Sequence, residues 1–98
     1  MKNIDLSKEF GAYLKTRFLG ERLLGQIKSH LKSEEEICID FSRVAGISHS
    51  FADECFGELF GEFGPELFQK RVHLTGLNEA GKSVLRLVFI DRSGKRPA

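Results

Sequence analysis

The chain has 98 residues, enough for one small domain. Hydrophobic residues make up 41% and charged residues 30%, a balance that excludes an intrinsically disordered chain. The net charge of +1 provides no global field for nucleic acid, and no apolar run approaches the roughly 20 residues that cross a bilayer. Met1–Asp5 also lacks the apolar stretch of a signal peptide.

These exclusions predict a cytoplasmic protein with no direct nucleic-acid or membrane partner. Cysteine usage agrees. Cys38 lies in an apolar strand-like run and Cys55 in an amphipathic helix-like run, so both read as small buried hydrophobes. A disulfide between them is not expected in a reducing cytosol. Nine phenylalanines without a tryptophan predict a Phe-rich core.

Asn3–Leu6 alternates polar and apolar residues and reads as an edge strand. Ser7–Lys15 is ambiguous: Gly11 breaks it, and Ala12-Tyr13-Leu14 has the pattern of a pairing strand. Thr16 is a ready helix N-cap. After it, Leu19, Leu23, Leu24, Ile27 and Leu31 recur at helical spacing, with Arg17, Glu21, Lys28 and Lys32 opposite. Gly20 and Gly25 should weaken this helix by up to about 1 kcal/mol each.

Ser33–Glu36 reads as a charged turn. Ile37–Phe41 is short and mostly apolar, the pattern of a strand buried in a parallel sheet. A loop, Ser42–Gly46, leaves it. A helix follows from about Ser50, with Phe51, Ala52, Cys55, Phe56, Leu59, Phe60 and Phe63 on one face. Asp53, Glu54, Gly57, Glu58 and Gly61 take the other. Gly64-Pro65 breaks this helix, and Glu66–Gln69 reads as one more turn. Arg71–Thr75 is the next strand, and Asn78 caps a final helix carrying Val84, Leu85, Leu87, Val88 and Ile90. The alternation of strands and helices predicts an α/β domain over residues 1–92: a small, mainly parallel sheet with packed helices. Residues 93–98 read as a flexible basic tail.

In such sheets, sites form in the loops at the carboxyl ends of strands. The first such loop leads into Gly46-Ile47-Ser48-His49-Ser50-Phe51-Ala52-Asp53. Ser50 with Asp53 three residues on has the capping-box spacing, so Ser50 is the expected N-cap. Hydroxyls at this position also tolerate a phosphate, which would add about −1.5 to −2 charge to a surface without unfolding the domain.

The run Ile37–Phe41, then Ser42-Arg43-Val44, then Gly46–Asp53, resembles the core of a STAS domain. It is most similar to a STAS-like prokaryotic family of unknown function whose members carry a comparable Gly-Ile-Ser-x-Ser-Phe-Ala-Asp-Glu run. The resemblance is strong over Ile37–Phe63 and weaker over Asn3–Leu31 and Arg71–Arg92. It implies a non-enzymatic protein-interaction module in signalling or regulation, needing no cofactor. In the related anti-sigma factor antagonists, a serine in the corresponding motif is phosphorylated by a GHKL-type kinase, and the phosphate blocks partner binding. A gap-free match puts Ser48 at that motif's aspartate, His49 at the phosphoserine and Ser50 at the second hydroxyl. The resemblance therefore implies a protein partner, a GHKL-type ATPase or another regulator, and it allows a homodimer. With a one-residue shift of that match, Ser48 or Ser50 becomes the candidate phosphoacceptor.

The outer face of the same helix adds Gly57 and Gly61, spaced for close approach by another backbone. Asp53, Glu54 and Glu58 rim that groove, so a helix docked there should be basic.

The second loop, Gly76–Ser83, matches G-x-x-x-x-G-K-[ST] between a strand and a helix. Gly76, Gly81, Lys82 and Ser83 are thus candidates for anion or nucleotide binding. Glu79 would place a carboxylate within the phosphate cradle, and no later strand pattern supplies the Asp that holds magnesium. No dense set of metal ligands is present: His49, Asp53, Cys55 and His73 are the nearest to one.

Overall fold

The computed structural model describes residues 1–33 and 36–93. Glu34 and Glu35 of the expected Ser33–Glu36 turn and all but the first residue of the 93–98 tail lie outside them. Among the described residues, no helix is long and apolar enough to cross a membrane.

Three strands form the main sheet: β1 (Lys2–Asp5), β3 (Ile37–Asp40) and β5 (Val72–Thr75), in the order β1-β3-β5. Both pairings are parallel, as the alternation of elements predicts. The register aligns Ile4, Ile39 and Leu74 in one row, and Asn3, Cys38 and His73 in the next. Because side chains alternate along a strand, each row lies wholly on one face. Ile4, Ile37, Ile39 and Val72 are buried, while Cys38, Asp40 and His73 are half-buried and Asn3 and Thr75 exposed. The expectation that β3 is buried on both sides is therefore corrected. The sheet buries one face, and the other is polar.

The ambiguous Ser7–Lys15 stretch resolves into two elements. Helix α1 (Leu6–Phe10) is capped by Asp5, whose Oδ1 accepts from the Lys8 amide at 3.2 Å. Strand β2 (Tyr13–Leu14) then pairs in parallel with β4 (Gly46–Ile47). This second small sheet ties the amino-terminal arm to the loop leaving β3.

Helix α2 (Arg17–Lys32) begins at the expected cap: the Leu19 amide donates to Thr16 Oγ1 at 3.1 Å. Its buried stripe is Gly20, Leu23, Ile27 and Leu31. Gly20 is a contact rather than a weak point. A Cβ there would lie 2.6 Å from the Phe51 carbonyl oxygen, so only glycine permits this approach to the next helix.

That helix has three parts. Helix α3 (His49–Ala52) passes into a π-helical turn (Asp53–Gly57) and then into α4 (Glu58–Arg71). The predicted break is present as a kink at Gly64 (φ 83°), but helix continues beyond it to Arg71, further than the single turn expected. Helix α5 (Glu79–Arg92) starts at Asn78, as expected. It packs on the π-turn, α3 and α4.

The core is rich in phenylalanine. Phe51 and Phe56 meet edge to face with centroids 6.3 Å apart, and Phe41 lies 5.9 Å from Phe56. Phe60, Phe68 and Phe89 form a second cluster, with centroid separations of 5.0 to 6.0 Å. Burying one such ring contributes on the order of 2–3 kcal/mol.

Candidate partner-binding surface

Ser48 is held extended (φ −95°, ψ 161°) because its amide donates to the Leu14 carbonyl of β2 at 2.9 Å. Its Oγ then accepts from the Phe51 amide at 3.1 Å. Ser48 is thus the N-cap, which corrects the assignment of that role to Ser50 through a box with Asp53. Ser50 lies instead in the first turn of α3, half-buried and outside the cap. His49 is exposed between them, and its Nε2 lies 3.7 Å from Asp91 Oδ2 on α5. The turn Ser48-His49-Ser50 therefore stands at the surface, where α3 begins beside the end of α5.

The acidic face is differently placed. Asp53 receives a two-pronged contact from Arg92: Nε to Oδ1 at 3.0 Å and Nη2 to Oδ2 at 3.1 Å. Arg92 Nη2 also donates to Glu58 Oε1 at 3.1 Å. Arg17 of α2 approaches Glu54 at 3.4 Å and Asp53 at 3.7 Å. The Arg92 hydrogen bond holds the Asp53 carboxyl below its ordinary value, and the same pairing raises the Arg92 guanidinium further. Such planar fork-to-carboxylate contacts are among the stronger polar interactions.

Gly57 is buried beneath this pair. A Cβ on it would meet Arg92 Nε and Val88 Cγ1 at 3.0 Å and Asp53 Oδ1 at 2.8 Å. The idea of an open groove for a partner's basic helix is corrected on this point. The helix seated on Gly57 is the protein's own α5, and the basic residue it places there is Arg92. Gly61 remains exposed, beside a recess of about 400 Å³ lined by Phe60, Gly64, Pro65, Arg92 and Ser93.

Sequence reasoning missed Arg92 because it stands next to the basic tail and reads as part of a solvated terminus. Its position fourteen residues after the Asn78 cap, on the Leu85–Val88 side of α5, was the available signal. Arg17, by contrast, was placed on the polar face of α2 without a partner.

The Gly76–Ser83 loop does not form a phosphate cradle. Helix α5 already begins at Glu79, and the amides of Gly81 and Lys82 are taken by Asn78 Oδ1 at 2.8 Å and by the Asn78 carbonyl at 3.0 Å. Gly81 is buried, Lys82 Nζ lies 3.6 Å from Glu79, and Ser83 is exposed in the helix. Gly76 (φ 74°) packs against the Ser42 backbone. Ser42 in turn is held by Asp40, whose Oδ1 accepts from the Ser42 amide and hydroxyl, contacts that lower the Asp40 pKa. Between the two strand-to-helix loops, the recess lined by Phe41, Val44, Ile47 and Leu77 has about 10 Å³, room for no more than a water. The expectation that Gly76, Gly81, Lys82 and Ser83 could hold a nucleotide is corrected accordingly.

Both cysteines are free. Burial pushes the Cys55 thiol well above its ordinary pKa. Among the described residues, no group of three or more His, Cys, Asp or Glu side chains could hold a metal ion.

A parallel sheet with helices packed on one face, and a serine-capped helix entered from the loop and short strand that follow its central strand, defines a STAS-like α/β domain. The chain belongs to the STAS-like domain of unknown function family (DUF4325), whose model matches residues 20–82, from within α2 to the first turn of α5. No curated protein and no solved structure matches the chain.

Proposed function

We propose that this domain is a regulatory protein-interaction module without a reaction of its own, and that its partner reads the turn Ser48-His49-Ser50. The observation that supports this most directly is the exposed His49 between two serines at the start of α3, in a family of STAS-like domains. Asp53 and Glu58 are satisfied internally by Arg92, so the turn carries the readable chemistry of this end of the molecule.

The same geometry is compatible with partner switching. Ser48 Oγ is occupied as the cap, whereas the Ser50 hydroxyl is not, which makes Ser50 the better phosphoacceptor. A phosphate on the first turn of α3 gains from the helix dipole while changing the surface charge. A GHKL-type ATPase or kinase is the partner class we favour.

The test is co-purification with a GHKL-type protein encoded beside this one, followed by titration calorimetry on the reconstituted pair. Ser50→Asp and His49→Glu should each weaken binding by about tenfold or more while leaving the circular-dichroism spectrum unchanged. Equal binding by both variants would remove the reading.

A further inference from the structure

The final helix has two apolar faces, and the fold uses one. Gly81, Leu85 and Val88 of α5 are buried where the helix packs on the π-turn, α3 and α4. Leu87 and Ile90 lie on the outer side and are exposed at 57% and 41%. Single apolar side chains scattered on a surface need no explanation, but neighbours three apart on one helix do. Among the described residues, five large hydrophobic side chains are exposed, and only these two share a helix.

They belong to a longer stripe. Ala80, Ser83, Leu87 and Ile90 are all exposed and succeed one another at intervals of three, four and three residues. At 100° per residue they fall within an arc of about 80°, roughly opposite the buried face. A stripe this narrow, repeating every seven residues, has the spacing of a coiled-coil seam rather than of a broad core-facing side.

Charge flanks the stripe on both sides. Arg86 precedes Leu87 along one edge, and Asp91 follows Ile90 along the other. Arg86 is exposed and forms no ion pair among the described residues. Asp91 is partly exposed, with His49 Nε2 3.7 Å from its Oδ2. A carboxylate has about four acceptor sites, so it takes a guanidinium as well.

We propose that α5 pairs in parallel, about a two-fold axis, with α5 of a second copy of this chain. Leu87 then meets Leu87 and Ile90 meets Ile90, while the small Ala80 and Ser83 let the backbones approach. Each Arg86 faces Asp91 of the other copy, the pairing that flanking positions make across a parallel seam. Symmetry forms that ion pair twice, so the surface is complementary to itself. An antiparallel pair would set Arg86 against Arg86. The seam is only two repeats long, so association is weak and follows concentration.

The test is sedimentation equilibrium of the full chain from about 10 µM to about 1 mM under reducing conditions. Wild type should pass from monomer to dimer across that range. Leu87→Gln and Ile90→Gln should each lose about tenfold or more in dimer affinity. Both side chains are exposed, so the urea-unfolding curves of these variants should match wild type. Arg86→Asp and Asp91→Arg should each weaken the dimer, and an equimolar mixture of the two should restore it, because each copy then offers the other opposite charges at both edges. Wild-type affinity in Asp91→Arg alone, or no recovery in the mixture, would overturn the parallel pairing. A wild-type chain that stays monomeric throughout would overturn the dimer. If Leu87→Gln then weakens the calorimetric binding of the GHKL-type protein, the stripe belongs to that partner instead.

Discussion

At the scale of single residues, the two glycines of α2 make a matched pair. Both look alike as local defects in a helix. Gly25 is exposed with nothing within 4 Å of a Cβ, whereas Gly20 lies against the Phe51 carbonyl. Gly25→Ala should therefore raise stability by about 0.5–1 kcal/mol through helix propensity alone. Gly20→Ala should lower it by roughly 1–3 kcal/mol, because backbone must move to admit the methyl group. Urea unfolding of the two variants decides both. The cap of α3 shows the same limit of local reading. Ser48 and Ser50 are each plausible caps, and the spacing of Ser50 to Asp53 favours the latter. The choice is made by a long-range contact, the Ser48 amide on the Leu14 carbonyl, which no local pattern records.

At the scale of elements, α5 is fastened by Arg92 to the π-turn and the start of α4. The carboxyl of Asp53 titrates below its ordinary value of 3.8 when folded. Its contribution to stability is thus present above that value and is lost as pH falls through the lower, folded one. Wild type should lose more stability than Asp53→Asn between neutral pH and pH about 3, as followed by thermal unfolding. Asp40 is also lowered, so the variant should keep part of the acid sensitivity. At neutral pH, Arg92→Ala should cost roughly 1.5–3 kcal/mol, the range for hydrogen bonds to charged groups. The existence of α2, α3–α4 and α5 was legible, because their apolar residues keep helical spacing and Thr16 and Asn78 cap as expected. The face of Gly57 was not. At a constant 100° per residue it points outward, but the π-turn adds backbone there and leaves Cys55, Phe56 and Gly57 buried in succession. A π-turn has no composition of its own to read.

At the scale of the whole molecule, the parallel sheet was legible and its one-sidedness only partly. Ile37–Asp40 and Val72–Thr75 alternate, yet β3 reads as a continuous apolar run once Cys38 is counted with its neighbours. The β2–β4 pair was not legible, because two residues give no periodicity. The register has a further consequence for how the chain folds. Lys2 faces Ile37 and Ile37 faces Val72, so both pairings of the main sheet join positions 35 apart. Every sheet contact must close a long stretch of chain before it returns any energy, while the helices between are local. Stopped-flow refolding should accordingly give milliseconds or longer, slower than a helical bundle of this length, with α2 detectable before the sheet. During synthesis the central strand can gain its second neighbour only once Val72–Thr75 has left the ribosome. Until then its inner isoleucines wait on whatever cover the Phe-rich helix provides.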